Sequence, residues 1–223
     1  MQRFTVLLPM KGHSERVPNK NMKSFAGKPL YHAVMQELER CPVVAEVLIN
    51  TDSEHIAEDA VSHFSKVKII RRPVDLQGDM VSMNRIIEFD MEQSAATHFI
   101  QTHSTNPLLK SETLEQAANS YLAGLATYDS LFSVTRLQTR LYYKDARPVN
   151  HNPAELIRTQ DLEPLFEENS CFYIFSKQSF AAANGRRIGN NPALFSMDKL
   201  EAVDIDEPED FVLAELLYNK IHA

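Results

Sequence analysis

The sequence lacks the glycine-rich loops by which many nucleotide-binding proteins are recognised. It contains only six glycines in 223 residues, and their spacing matches neither a Walker loop nor a dinucleotide fingerprint. This absence disfavours a dinucleotide-dependent oxidoreductase. An anionic ligand would have to be met by local cations instead.

Cysteine is also scarce. The two cysteines, Cys41 and Cys171, stand far apart among apolar residues and fit no zinc or redox spacing. We therefore expect two buried free thiols rather than a metal-binding or redox motif.

Long apolar runs and an excess of positive charge are absent as well. No signal-peptide pattern and no stretch of about 18 apolar residues occurs, so we expect a soluble, cytoplasmic protein without a membrane partner. The net charge of −7 and the pI near 5.6 argue against non-specific binding to nucleic acid or anionic membranes. With 43% hydrophobic residues and no internal repeat, the chain suits a single domain over residues 1–223.

What the sequence does contain is an alternation of short apolar runs and amphipathic segments. The patterns predict helices at 29–40, 54–64, 80–95 and 111–125, and strands at 4–9, 46–52, 67–70, 98–102, 129–136, 172–175, 193–197 and 202–205. This rhythm predicts a Rossmann-like, three-layer α/β fold with a mostly parallel, twisted, doubly wound sheet.

The loop after the first strand, M-K-G-H-S-E-R-V-P-N-K-N, is strongly basic. Between residues 11 and 28 the only acid is Glu15, and the cations are Lys11, Arg16, Lys20, Lys23 and Lys28. Gly12 lets the backbone approach a ligand, and Ser14 offers a hydroxyl. Because such a loop leaves the carboxyl edge of a parallel sheet, it is either a cradle for phosphate groups or a basic surface loop.

An acidic segment, D-I-D-E-P-E-D, occupies residues 204–210. In an extended backbone the side chains of Asp204 and Asp206 point to the same face. Two adjacent carboxylates suit a hard cation, and Mg²⁺ is the natural occupant. In the alternative interpretation, Asp206 caps the last helix and Asp204 is a solvated surface acid.

These motifs, in this order, resemble those of the CMP-sugar synthetases, the cytidylyltransferases for sialic acids and related 2-keto acid sugars. The first loop is similar to the family pattern A-R-x-x-S-K-x-x-P-x-K-N, with matches at Ser14, Pro18, Lys20 and Asn21 and with Lys11 in place of arginine. Residues 158–173 resemble R-x-Q-D-x-P…Y-E-N-G-x-F-Y, and residues 204–210 match D-I-D-x-P-x-D. The resemblance implies a nucleotidyltransferase fold over nearly the whole chain.

The resemblance also implies roles for individual residues. The triphosphate would be held by Lys11, Gly12, Ser14, Arg16, Lys20 and Asn21, of which Lys20 and Arg16 would act in catalysis together with Asp206. Magnesium would be bound by Asp204 and Asp206. The nucleotide would be held further by Arg72, Asp79 and Ser82, although Asp79 could instead cap a helix and Arg72 lie on the surface.

The polar segment Q-T-H-S-T-N-P-L, from residue 101, is similar to the family's Q-x-T-S-P-L. Either His103 replaces the family glutamine, or Gln101 keeps its role and two residues are inserted before Pro107. Thr105 and Asn106 are implied to help select the substrate. The alternative is a helix-capping turn without a ligand.

The regular spacing of hydrophobic residues is lost over residues 137–169, a stretch that contains prolines and aromatic residues. A stretch of this length is a binding loop, a dimerisation arm or a disordered segment, and its aromatics argue against disorder. The family uses this region as an arm that packs on a second subunit, so a homodimer is implied. Arg158 and Gln160 in the arm would face the carboxylate of the sugar acid.

The implied activity joins CMP from CTP to the anomeric hydroxyl of a 2-keto acid sugar and releases pyrophosphate, with Mg²⁺ as the cofactor. Two alternatives remain. One is a nucleotidylyltransferase for another sugar or base, and the other is a catalytically silent homologue that binds a nucleotide or sugar.

Overall fold

A computed structural model of the protein describes residues 3–78 and 80–222. Most of its strands form one seven-stranded sheet, and β2 and β3 form a separate two-stranded hairpin. The strands are β1 (Phe4–Leu7), β2 (Ser24–Phe25), β3 (Lys28–Pro29), β4 (Val44–Thr51), β5 (Val67–Arg71), β6 (His98–Thr102), β7 (Ser130–Leu137), β8 (Leu165–Ser176) and β9 (Pro192–Ser196).

Six α-helices are present among the described residues. They are α1 (Tyr31–Arg40), α2 (Glu54–His63), α3 (Met83–Glu92), α4 (Ser111–Ala123), α5 (Lys177–Ala182) and α6 (Pro208–His222). Ser53 caps α2, because the Ser53 side chain accepts a hydrogen bond from the Ile56 N–H.

The large sheet has the strand order β5-β4-β1-β6-β8-β7-β9. Only β8 runs antiparallel to its neighbours β6 and β7, so the mostly parallel sheet predicted from the sequence is confirmed. Successive strands move outward from β1 to β5, and the chain then returns to the other side of β1 to form β6. The carboxyl ends of β1 and β6 therefore flank the switch point where open α/β sheets bind ligands.

Side chains of β1 point alternately to the two faces of the sheet, and helices pack against each face. Phe4 and Val6 are buried in a cluster that includes residues of α1 and α4, whereas Leu7 packs with Ile87 and Met91 of α3. Both faces of this central strand are covered, which explains why all four of its residues are buried and three of them are apolar. The expected three-layer arrangement follows.

The structure corrects several predicted boundaries. The strand predicted at 202–205 is wrong, because this segment forms a turn and an extended loop. The strand predicted at 172–175 is only the carboxyl-terminal part of β8, which begins at Leu165, so the irregular arm is residues 138–164 rather than 137–169. The short helix α5 was not predicted; its capping box joins Ser176 to Ser179.

Both cysteines are free and buried, as their apolar surroundings predict. None of the helices in the described part of the chain combines the length and apolar character needed to span a bilayer.

Candidate active site

A cleft of about 350 Å³ opens at the carboxyl ends of β1 and β6. Its wall contains residues from the basic loop, from the loop after β6 and from the start of α3. The members that the sequence singles out are Lys11, Ser14, Lys20, Asn21, Arg72, His103 and Thr105. Residues more than 90 positions apart in the chain thus meet where the topology predicts a ligand.

The basic loop and the acidic segment contact each other directly at this edge. Arg16 donates hydrogen bonds to Asp206 Oδ1 at 2.8 Å and to Glu207 Oε1 at 3.0 Å. The Lys20 Nζ donates to the Ile205 carbonyl oxygen at 2.5 Å and lies 3.9 Å from Asp206 Oδ1. The predicted convergence of the two oppositely charged clusters is therefore seen in the structure.

An apolar contact beneath these charges holds the two segments together. Val17 of the basic loop packs in one cluster with Ile205 and Phe211, and the side chain of Ile205 is fully buried. Ile205 stands between Asp204 and Asp206, and its N–H donates to the Thr105 carbonyl oxygen at 2.9 Å. Because each buried side chain of this size contributes about 1.5–3 kcal/mol, the packing offsets part of the cost of ordering two loops.

The two acids of the candidate metal site have different surroundings. Asp206 is half exposed, whereas Asp204 is more buried, and its Oδ1 has no hydrogen-bond partner among the described residues. Burial raises the pKa of Asp204 and the neighbouring Asp206 raises it further, while a hydrogen bond from Thr105 and the charge of Lys20 oppose the shift. A buried carboxylate oxygen without a donor is a position that a cation would satisfy.

The capping role considered for Asp206 is wrong. Helix α6 begins at Pro208, which Glu207 directly precedes. The carboxylate that accepts the backbone N–H groups of Asp206 and Glu207 is that of Asp210, at 3.1 and 2.8 Å. The Asp206 side chain is instead directed to Arg16 and Lys20.

Burial and the neighbouring acids shift the pKa values of Arg16 and Lys20. The hydrogen bond with Glu207 and the charge of Asp206 raise the pKa of Arg16. Burial lowers the pKa of Lys20, and the charges of Asp206 and Asp204 counteract that effect. A bound triphosphate would compete with the acids for Arg16 and Lys20. A divalent metal ion would then balance the negative charge of the acids.

Asn21 and Gly12 serve the architecture of the basic loop. Asn21 donates to the Lys11 carbonyl oxygen at 3.0 Å and accepts from the Ser104 hydroxyl at 2.6 Å, which links the two loops of the cleft. The close approach that Gly12 permits is to Ser53, since a Cβ on Gly12 would stand 2.8 Å from the Ser53 Cβ. The Gly12 N–H donates to Asp52 Oδ1 at 2.7 Å, so this N–H is already used. Ser14 is buried in the cleft wall.

Some polar residues of the loop after β6 stabilise neighbouring segments, and others line the cleft. Asn106 is buried, and its amide donates to the Val203 carbonyl oxygen at 3.4 Å, which supports the acidic segment from behind. Thr105 and His103 line the cleft. Burial, together with the nearby Arg187, lowers the pKa of His103 to about 4, so its ring is neutral at neutral pH.

Gln101 and His103 contact each other, but only His103 lines the cleft, and which of them takes the role of the family glutamine stays a prediction. The amide nitrogen of the fully buried Gln101 is 3.1 Å from His103 Nε2. The Gln101 Oε1 accepts a 2.6 Å hydrogen bond from Arg187, whose guanidinium lies 3.6 Å from the ring centroid of Tyr173. The two alignments considered from the sequence therefore place side chains in the same network.

Arg187 is the functional candidate that the sequence reasoning missed. Burial lowers its pKa, and no carboxylate in residues 3–78 or 80–222 lies within salt-bridge distance of it. Its neighbour Arg186 instead points away and bonds the Ala183 carbonyl oxygen and Asn190. The R-R pair was the available signal, but its spacing could not tell which arginine reaches Gln101, 86 positions away.

Arg72 is buried beside the cleft rather than on the surface. Its guanidinium donates to the Asn50 side-chain oxygen at 2.7 Å and to the Asn50 carbonyl oxygen at 2.8 Å. Asn50 in turn donates to Asp90, and burial raises the pKa of Asp90 to about 7. Ser82 directly precedes α3 and is exposed, without a side-chain cap hydrogen bond, and Asp79 lies outside the described residues.

Arg158 and Gln160 are not brought to the cleft within this chain. Both are exposed on the arm, and neither belongs to the wall of the cleft. The Arg158 guanidinium instead donates to both carboxylate oxygens of Asp161, at 2.7 and 3.1 Å. Any contact of these two side chains with a substrate requires movement of the arm or a second subunit.

The cytidylyltransferase family profile matches residues 5–221 of the chain. This protein belongs to the cytidylyltransferase family. The match covers nearly all of the chain, including both charge clusters, and the family resemblance inferred from the motifs is thereby confirmed.

Characterised relatives cover almost the whole chain. An N-acylneuraminate cytidylyltransferase A of Danio rerio is 30% identical over 95% of this chain, but the chain spans only 50% of that protein. A pseudaminic acid cytidylyltransferase of Campylobacter jejuni is 24% identical over 97% of this chain and 96% of its own length.

Solved structures with low sequence identity share the fold. A CMP:2-keto-3-deoxy-manno-octonic acid synthetase complexed with CTP superposes with a TM-score of 0.73 at 14% identity, covering 99% of this chain and all of the other. A 4-diphosphocytidyl-2C-methyl-D-erythritol synthase of Anaerococcus prevotii superposes with a TM-score of 0.68 at 9% identity, covering 97% and 96%. The predicted Rossmann-like nucleotidyltransferase fold is confirmed.

Proposed function

We propose that this protein joins CMP from CTP to the anomeric hydroxyl of a 2-keto acid sugar of the sialic acid type and releases pyrophosphate. The observation that carries the proposal is the contact of Arg16 and Lys20 with Asp206, because Lys20 also lines the cleft and so joins the acidic segment to it. Relatives named for N-acylneuraminate and pseudaminic acid support a nine-carbon type of acceptor.

The reaction is an in-line displacement at the α-phosphorus of CTP. The attacking hydroxyl must be aligned opposite the leaving pyrophosphate, and the negative charge that develops must be stabilised by fixed cations. Lys20 is held at the centre of the site by its bond to the Ile205 carbonyl oxygen and would stabilise the leaving pyrophosphate. Arg16 and Lys11 would hold the outer phosphates from the exposed side of the loop.

Asp204 and Asp206 suit a Mg²⁺ ion. The unpartnered Asp204 Oδ1 and the half-exposed Asp206 provide the oxygen ligands that this ion prefers. When bound, Mg²⁺ would neutralise charge on the phosphate oxygens and polarise the reacting phosphoryl group. The chain's own contribution is to hold both carboxylates in place through Ile205 and Thr105.

The acceptor carboxylate would be met by Arg187. This guanidinium is partly buried, lies over Tyr173 and contacts Gln101, and it would gain an ionic partner from a keto acid. The neutral His103 beside it could form hydrogen bonds to the base or sugar without adding charge. Arg158 and Gln160 would contribute from the arm.

The proposal includes a homodimer and a cytoplasmic location. Exposed apolar side chains on the arm, among them Leu156 and Ile157, support a second subunit that covers them. Two free buried cysteines are compatible with a reducing compartment.

A pyrophosphate-release assay tests the function. The panel combines each of the four nucleoside triphosphates with N-acetylneuraminic, pseudaminic, legionaminic and octulosonic acids, with and without Mg²⁺. The proposal predicts release only with CTP, a keto acid sugar and Mg²⁺ together. Release with another triphosphate would indicate a different base, and CTP binding without release for every acid would indicate a silent homologue.

A further inference from the structure

Two histidines and an aspartate form a compact cluster between α1 and α2. His32 comes from α1, and Asp59 and His63 come from α2. One ligating atom from each residue lies within 4.8 Å of the others. None of the three lines the candidate active-site cleft, so the nucleotide chemistry does not account for them.

The sequence explains why these side chains meet. Asp59 and His63 are four residues apart, which places them on the same face of α2, one turn from each other. His32 is buried on the face of α1 that packs against this turn. Its Nε2 lies 2.6 Å from Asp59 Oδ2, and the His63 Nδ1 lies 3.3 Å from Asp59 Oδ1.

The donor set is one that transition metals prefer. Two imidazole nitrogens and a carboxylate oxygen are common zinc ligands, with bonds of about 2.0–2.2 Å. Tetrahedral bonds of that length place ligand atoms about 3.3 Å apart. The ligating atoms here, all within 4.8 Å of one another, would reach that spacing by side-chain rotation. The Tyr31 hydroxyl also donates to Asp59 and orients its carboxylate, as outer-shell partners of metal ligands do.

An adjoining cavity provides access and room for a further ligand. It measures about 500 Å³, and its wall includes all three cluster residues together with Gly27, Gln36 and Phe64. The side chain of His63 is 54% exposed, whereas that of His32 is 6% exposed. A metal bound here would have protein on one side and an open coordination position on the other.

We propose that His32, Asp59 and His63 bind a divalent transition-metal ion, for which zinc is the best fit, at a site that links α1 to α2 and is separate from the nucleotide cleft. The proposed zinc site and the candidate magnesium site differ in the ligand atoms that they offer. The acidic segment presents the carboxylate oxygens of Asp204 and Asp206, which suit Mg²⁺, whereas nitrogen ligands favour zinc. The competing explanation is a hydrogen-bonded His–Asp–His network without a metal.

The test is a calorimetric titration of tag-free, chelator-treated protein with Zn²⁺ in the presence of excess Mg²⁺. We expect one equivalent of zinc to bind to the wild type and to raise its melting temperature, because only the folded state holds the three ligands together. His63→Ala should weaken binding at least about tenfold, since loss of an outer-shell partner alone costs about 10- to 100-fold. Because His63 is half exposed, we expect this variant to fold like the wild type, which its melting temperature without zinc checks.

Two controls locate the ion. His55→Ala removes an exposed histidine from the same helix and should bind zinc like the wild type. Asp204→Asn alters the candidate magnesium site and should also leave this binding unchanged. Equal zinc affinity in the wild type and His63→Ala, no binding to the wild type, or loss of binding in Asp204→Asn would each overturn the proposal.

Discussion

The acidic segment at 204–210 enters α6 at Pro208 and is irregular before it, and the arm at 138–164 lacks regular strands and α-helices, but the two are stabilised differently. The acidic segment is fastened by Ile205, which is fully buried and bonded to the Thr105 carbonyl oxygen, and its acids contact the basic loop. The arm carries exposed apolar residues, and its Arg158 pairs only with Asp161 among the residues described. The triphosphate half of the proposed site is thus assembled within one chain, whereas the arm's contribution needs a further contact.

The largest effect expected from this comparison is on stability. Ile205→Ala should lower the free energy of unfolding by about 2–5 kcal/mol, because it opens a cavity between the basic loop and α6. Urea denaturation measures the change. Leu200→Ala is the control, since Leu200 is 50% exposed and its truncation should cost less than about 0.5 kcal/mol. Equal losses in the two variants would mean that Ile205 does not fasten the segment.

A smaller effect is expected at Arg187. Arg187→Lys should raise the KM for the keto acid about tenfold, which corresponds to about 1.4 kcal/mol, because lysine cannot reproduce the planar fork of arginine. The KM for CTP should change much less. Arg186→Lys is the matched control, as the adjacent arginine bonds the Ala183 carbonyl oxygen. A rise in the KM for CTP alone would show that Arg187 belongs to the nucleotide half.

The smallest effect is expected in the arm. Arg158→Ala should raise the KM for the keto acid by less than about tenfold, because an exposed charge contributes modestly. If the arm acts on a second subunit, mixing this variant with an excess of Asp206→Asn subunits should restore a low KM, since hybrid dimers join an intact arm to an intact cleft. A KM that mixing leaves unchanged would rule out action across subunits.

Much of the fold could be predicted because local patterns determine it. The strand at His98–Thr102 and the helix starting at Ser111 occur where periodicity and end signals predict them. The direction of β8 could not be predicted, since a continuous apolar run such as Phe172–Phe175 carries no information on orientation. The strand predicted at 202–205 failed because Ile205 is buried by packing against Val17 and Phe211 rather than by pairing in the sheet.

The candidate site, like the fold, could be predicted only in part. Motifs identified both charge clusters, but they could not separate residues facing the cleft from residues that build it. The side-chain amides of Asn21 and Asn106 donate hydrogen bonds to backbone carbonyl oxygens, and Arg72 is buried against Asn50. Such roles depend on contacts between distant parts of the chain. The same reason hid Arg187 and its contact with Gln101.

One double-mutant cycle tests the central claim, that the basic loop and the acidic segment act on the same triphosphate. CTP affinity is measured with Mg²⁺ by calorimetry for the wild type, Lys20→Met, Asp206→Asn and the double variant. Residues that share one ligand should show a coupling energy of about 0.5–3 kcal/mol in CTP binding. Additive losses, within about 0.5 kcal/mol, would contradict the account and place the two clusters at independent sites.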